Sequence, residues 1–309
     1  MSGLDPKIEA VLGGMLAAPG PPAHEIPIAQ ARVNHRMETE ALCGAGPQLA
    51  EVRDHAIPSA GGEIPVRVYR PDGDGPLPIV VWFHGGGWAL GSIETYDAPV
   101  RALAVAAGAI VISVEYRLAP EHRFPAAVQD SLAAVRWAAA RGAGLGGDPE
   151  RLAVAGDSAG GNLAAVVARR LRDELPLRLQ VLIYPVTDGG VNTPSFREFA
   201  DRYGLTAAGM RRFWELYLDG SDSSDPDASP LRAGDLSGVA PAYVLTADHD
   251  VLRDEGEAYA RALESAGVPV TLERWPGTIH GFVRWLAATD VAGEAITEIG
   301  AQLRTALAR

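Results

Sequence analysis

The sequence is poor in sulfur and in basic side chains. Cys43 is the one cysteine among 309 residues. That excludes an intrachain disulfide and any multi-cysteine metal site, and it leaves Cys43 as a small buried or half-buried side chain. Lys7 is the one lysine, and 27 Lys and Arg stand against 39 Asp and Glu, for a formal net charge of −12. Nucleic acid and anionic membranes both call for a basic face, so neither is the expected partner. No apolar run approaches the roughly 18 residues of a membrane span. The opening "MSGLDPKIEA" lacks the basic-then-apolar pattern of a secretory signal, so the expected location is the cytoplasm. The rest is ordinary for a soluble globular chain, with 47% hydrophobic and 21% charged residues and enough length for an ample core.

What is present is an alternation. Short apolar runs at 78–84 ("PIVVWFH"), 109–116, 151–157 ("RLAVAGD"), 177–185, 241–248 and 269–276 read as strands. Helix-like segments fall between them, among them 124–142, which opens on proline and closes on glycine, and 253–267. A last helix starts near Thr289. Buried runs alternating with helices predict an α/β fold, a mostly parallel sheet covered on both faces. Two stretches break the pattern: residues 1–55, read as one or two small helices around a loop at 18–27, and residues 187–235. They are expected to form a helical cap, an N-terminal segment (1–55) and an excursion (187–235) from a catalytic domain over 56–309.

"GDSAG", 156–160, sits between a predicted strand and a predicted helix. G-x-S-x-G alone is a weak signal, but this context suits a nucleophile elbow. The flanking positions must be glycine because Cβ atoms there would clash with adjacent elements. The turn lifts the Ser158 hydroxyl above the C-terminal edge of the sheet, where open α/β folds bind ligands.

A serine hydroxyl needs a base. Of seven histidines, His280 lies just after the last strand, where the order serine, acid, histidine requires the base. The acid should follow the preceding strand. Asp254 and Glu255 suit the first turn of a helix, where the dipole favours them. Asp250, on the loop, is therefore the expected partner of Nδ1–H.

The fourth element is "HGGGW", 84–88, directly after a strand. Consecutive glycines let backbone N–H groups approach an oxyanion. Two of Gly85–Gly87 would donate, with the N–H of Ala159 at the helix start as a further donor. His84 reads as a structural brace for this loop, and Asp157 as structural too.

"HGGGW", "YRLAPEHRFPAA", "GDSAGGN", "YPVTD", "DVLRDEG" and "HGF" occur in an order and spacing that resemble the hormone-sensitive-lipase-like carboxylesterases of the α/β-hydrolase superfamily. The resemblance runs from about Glu63 to the end and implies an α/β-hydrolase fold. It implies triad roles for Ser158, Asp250 and His280, and oxyanion roles for Gly86, Gly87 and Ala159. The family writes proline after the acid where this chain has Val251. Within "EYRLAPEHRFPAA", Glu115, Arg117 and Glu121 are expected to form a buried charge network without a catalytic part.

The expected function is hydrolysis of short- to medium-chain acyl esters, with a small-molecule ester as partner and no cofactor or metal. Amide or formamide hydrolysis on the same triad is the alternative. A non-catalytic receptor of this fold lacks the histidine, which is present here, and no basic amphipathic helix supports a lipid-surface lipase. Trp88, Leu205, Phe213 and Trp214 are candidates for the substrate pocket, and Phe213 and Tyr217 share a helix face. An edge strand near 269–276 offers a surface for a homodimer.

Overall fold

A computed structural model describes residues 3–17, 21–190 and 192–308. Part of the expected loop at 18–27 (residues 18–20) and Val191 of the 187–235 excursion lie outside the described residues.

The strands are β1 (Glu51–Ser59), β2 (Gly62–Arg70), β3 (Leu77–Phe83), β4 (Ile110–Val114), β5 (Gly147–Asp157), β6 (Gln180–Ile183), β7 (Ala242–His249) and β8 (Val270–Ile279). They form one sheet in the order β1-β2-β4-β3-β5-β6-β7-β8. β1 pairs antiparallel with β2, and β2 with β4; from β4 through β8 all neighbours are parallel. The strand order turns back at β3, so β3 and β5 lie side by side at the centre. That is the switch point where such sheets bind ligands beyond their carboxyl ends. The boundary expected at residue 55 falls inside β1, because His55 pairs with Val66 in the β1–β2 ladder.

The helices are α1 (Pro6–Ala17), α2 (Ile28–Cys43), α3 (Asp97–Ala107), α4 (Ala126–Arg141), α5 (Ala159–Arg170), α6 (Pro194–Glu198), α7 (Ala207–Leu218), α8 (Arg253–Ser265) and α9 (Asp290–Ala306). Side chains alternate across a strand, and here both faces are buried. Ile79, Val81 and Phe83 of β3 belong to the core on the side of α4, α5 and α8, while Val80 and Trp82 belong to the core on the side of α3 and α9. No helix among the described residues is long and apolar enough to cross a membrane.

Glu115, Arg117 and Glu121 do not form the single buried network expected of them. Arg117 pairs with fully buried Asp130 of α4 at 2.8 Å. Glu115 accepts from the N–H of Ile93 at 2.6 Å. Glu121 takes Arg32 of α2 at 2.7 Å, half exposed. Glu115 and Arg117 precede a turn at 119–122 and Glu121 lies within it, so the three side chains diverge and each finds its own partner.

Candidate active site

β5 delivers the chain to Asp157 and α5 begins at Ala159. Ser158 between them has φ 56° and ψ −119°, a region that residues with a Cβ adopt rarely and at a cost of about 1–3 kcal/mol. Its N–H donates to the carbonyl of Ile183 at 2.8 Å, and its carbonyl accepts from the N–H of Asn162 at 3.0 Å. The elbow is thus held by β6 on one side and by α5 on the other. The neighbouring glycines follow from close approach: a Cβ on Gly160 would fall 1.9 Å from the carbonyl oxygen of Phe83.

The loops after β7 and β8 bring up the other two groups. β7 runs to His249, one residue further than the apolar run suggests, so Asp250 follows the strand directly. Its carboxylate is buried; Oδ1 accepts from the N–H of Leu252 at 2.9 Å and Oδ2 from Nδ1–H of His280 at 2.7 Å. Nε2 of His280 then accepts from the Ser158 hydroxyl at 2.9 Å. The imidazole also rests on the Tyr184 ring, centroid to centroid 4.7 Å. Asp254 lies in the first turn of α8 and accepts instead from the N–H of Ser195 at 2.8 Å. A hydroxyl in such a chain can pass its proton to the imidazole as it attacks an electron-poor carbon, while the carboxylate stabilises the imidazolium.

The loop after β3 faces this hydroxyl. The N–H of Gly85 is taken, donating to Asp157 at 2.7 Å. Those of Gly86, Gly87 and Ala159 make no hydrogen bond among the described residues. Both glycines have positive φ, 111° and 58°, so their backbone turns where a side chain would be strained. His84 is fully buried and stacks on Tyr116 at 4.3 Å, and burial pulls its imidazole down to about 4. It stays neutral behind the loop. Asp157 also accepts from the Tyr96 hydroxyl at 3.0 Å, and burial raises its carboxyl above the ordinary range.

The α/β-hydrolase fold pattern matches residues 80–284, which include all of these groups. The chain belongs to this family. It is 49% identical over 252 residues to the carboxylesterase NlhH of Mycobacterium tuberculosis, covering 79% of each chain. To the ethyl acetate hydrolase of Pseudomonas putida it is 38% identical over 300 residues, 94% of each. Among solved structures it superposes on an ester hydrolase from the Lake Arreo metagenome with TM-score 0.94 at 41% identity, covering 98% of both chains. The hyperthermophilic esterase of Pyrobaculum calidifontis gives 0.94 at 42%, covering 99% of both. These relatives bear out the resemblance to hormone-sensitive-lipase-like carboxylesterases.

In this α/β hydrolase a cavity of about 200 Å³ opens at Ser158 and His280, and Gly86, Gly87, Leu205, Met210 and Phe213 line it. A second chamber of about 180 Å³ lies between α2 and α7, lined by Ile26, Ile28, Ala31 and Leu216 among others. The two share His35, Glu38, Leu90, Gly204, Leu205 and Phe213 as lining residues. Two of the expected pocket residues are elsewhere. Trp88 is fully buried and stacks on Tyr217 at 4.2 Å, and Trp214 closes on it at 4.8 Å. They lock α7 to the glycine loop and line neither chamber. Trp214 stands about 100° round α7 from the cavity-lining Phe213 and is buried against Trp88 and Tyr217.

Three side chains carry no sequence signal and still shape the site. Arg284, four residues after His280, lines the cavity together with His35 and Glu38 of α2. Burial, and then the Arg284 charge, pull the His35 imidazole down to about 3, so it is neutral and accepts from Arg284 Nη1 at 3.2 Å. Glu255, beside Asp254 on α8, is buried and accepts from the N–H of Thr187 at 2.8 Å. Arg284, His35 and Glu38 belong to no motif, and Glu255 lies within DVLRDEG; each matters only through a contact made across the fold.

Proposed function

We propose that this chain is a serine carboxylesterase for short- to medium-chain acyl esters. The observation that carries the reading is the hydrogen-bond chain Ser158–His280–Asp250 facing the unpaired N–H groups of Gly86, Gly87 and Ala159. Ser158 Oγ attacks the ester carbonyl carbon as its proton moves to His280 Nε2. Asp250 stabilises the imidazolium through Nδ1–H. The carbonyl oxygen becomes an oxyanion received by the loop and helix N–H groups, a contribution of about 3 kcal/mol per donor in related sites. His280 then protonates the leaving alcohol. Water attacks the acyl-serine with His280 again as base, and the acid is released.

The N-terminal segment and the 187–235 excursion act as a cap over this site, since α2 and α7 both supply its walls. The cavity volumes set the substrate scale. An apolar cavity of about 150 Å³ can hold one benzene ring, so each chamber suits a small ring or a short chain.

The test is a series of p-nitrophenyl esters from acetate upward, with an acyl anilide for amide hydrolysis and a Ser158→Ala control. Ester turnover that disappears in Ser158→Ala, with an organophosphonate labelling Ser158 in the wild type, is the expected result. Labelling at another residue, or full activity in the variant, overturns the mechanism. Turnover of the anilide in preference to the esters overturns the substrate class.

A further inference from the structure

Arg284 is out of place for a purely apolar ester pocket. It sits on the loop that carries His280, lines the Ser158 cavity, and has a side chain only 12% exposed. A Cβ built on Gly281 would lie 3.2 Å from its Nη2, which puts the guanidinium beside the residue that follows His280. One face of the guanidinium rests over the Tyr96 ring at 5.7 Å. Nη1 donates to His35 Nε2 at 3.2 Å, with Thr39 Oγ1 at 3.5 Å. Glu38 is the nearest carboxylate, at 3.7 Å from Nη2, beyond hydrogen-bond reach.

Nε and Nη2 therefore make no hydrogen bond among the described residues, and neither is sealed away from solvent-sized space. A guanidinium has five N–H groups in a rigid fork. Solvent can meet Nε and Nη2 in the free enzyme, but a substrate that fills the cavity displaces it, and a substrate without an acceptor there leaves the donors unmet at a cost. Arg284 borders the cavity in which an ester must lie to reach Ser158. The charge itself is already balanced, because Glu38 and the buried Asp157 are both close enough to act on Arg284. The unmet need is for an acceptor rather than for an anion.

We infer that Arg284 is a specificity residue, donating to a neutral oxygen acceptor on the substrate: a keto, ether or second ester oxygen on the acyl or alcohol arm. This rests on the esterase reading above. It makes the preferred substrates oxygen-substituted esters rather than plain alkyl esters of the same length. A substrate carboxylate is disfavoured, since it would be a third anion beside Glu38 and Asp157.

The test uses matched esters on the intact enzyme. Ethyl levulinate is compared with ethyl pentanoate, which places the oxygen on the acyl arm. Methoxyethyl acetate is compared with butyl acetate, which places it on the alcohol arm. Each rate is divided by that ester's hydroxide-catalysed rate to remove intrinsic reactivity. Monoethyl succinate supplies the anionic arm, and p-nitrophenyl acetate reports whether the esterase reading itself holds. A hydrogen bond from a charged donor is worth about 10- to 100-fold, so wild type should favour at least one oxygen-bearing ester over its partner by about that factor. Arg284→Met should abolish the preference while both members of each pair remain substrates. Arg284→Lys should keep part of it.

A role limited to tying α2 to the His280 loop predicts a different outcome: Arg284→Met would slow both members of each pair by the same factor, leaving their ratio unchanged. That outcome, or wild type showing no preference in either pair, overturns the inference. So does a preference for monoethyl succinate above the neutral esters. If Arg284→Met does not fold, the wild-type ratios and Arg284→Lys decide. Failure of p-nitrophenyl acetate to turn over defeats the esterase reading instead.

Discussion

The ring of Phe213 lies on the backbone of Gly87. A Cβ placed on Gly87 would fall 2.2 Å from Phe213 Cγ, which no real side chain tolerates. A residue of α7 is therefore in direct contact with one of the two free N–H positions of the glycine loop. Gly87→Ala must displace either the ring or the loop, and φ at that position is already 58°. Loss of one oxyanion donor lowers kcat by about 10²–10³-fold. The variant should show a loss of that order together with a lowered melting temperature from the positive φ and the displaced ring, measured by steady-state kinetics beside a melting curve. Near-normal kcat would remove Gly87 from the oxyanion role.

Phe213 and Trp214 are adjacent but should fail differently. Phe213 borders both chambers, and each methylene that fits is worth about 0.8 kcal/mol. In wild type kcat/KM should rise with acyl length and then fall sharply, and Phe213→Ala should move that fall to longer chains. Trp214→Ala leaves Trp88 without one of its two aromatic neighbours and should destabilise the fold by about 3–5 kcal/mol. A p-nitrophenyl ester series and urea unfolding of both variants separate the two. Identical chain-length profiles in wild type and Phe213→Ala would place the pocket wall elsewhere.

Asp250→Asn removes the carboxylate that receives Nδ1–H of His280. In serine hydrolases the same change lowers kcat by about 10⁴-fold, and a comparable loss is expected here. Asp254→Asn keeps an oxygen for the N–H of Ser195, so its effect should be about 1 kcal/mol of stability or less, with turnover preserved. A reversed order of the two kinetic effects would assign the acid to Asp254.

Burial pushes the Glu255 carboxyl up from the ordinary 4.5 to about 8, against the lowering effect of the Thr187 and Asp188 N–H groups. The folded chain holds this proton more tightly than the unfolded chain. Its contribution to stability is therefore complete below about pH 4.5, is lost as the pH rises, and has gone above about pH 8. Glu255→Gln should flatten the pH dependence of stability across that window and be more stable than wild type at its upper end. Urea midpoints from pH 4 to 9 test this, and parallel curves for the two proteins would count against it.

The parts of the fold legible in the sequence were those set by local backbone requirements. A strand, a glycine-flanked serine and a helix in succession admit few conformations, so the elbow at Ser158 stood out. So did the glycine loop after β3, because only glycine turns at positive φ without strain. His280 was legible from order along the chain. Asp250 was separable from Asp254 because α8 begins at Arg253, and a carboxylate in the first turn of a helix already has a partner in the dipole.

Contacts between distant segments were not legible. Trp88, Phe213 and Trp214 all looked like pocket candidates, since composition does not reveal which way a helix faces. Only the packing of α7 on the glycine loop turns Phe213 toward Ser158 and buries the two tryptophans against each other. Glu115, Arg117 and Glu121 suggested one network by their proximity in sequence, yet their partners come from a loop, from α4 and from α2. Arg284 met His35 and Glu38 only because α2 folds back over the His280 loop, across about 250 residues of chain. Periodicity and glycine placement act over a few residues and are written in the chain itself. The walls and charges of the cavity depend on how separate elements dock, and docking is decided by the whole buried surface at once.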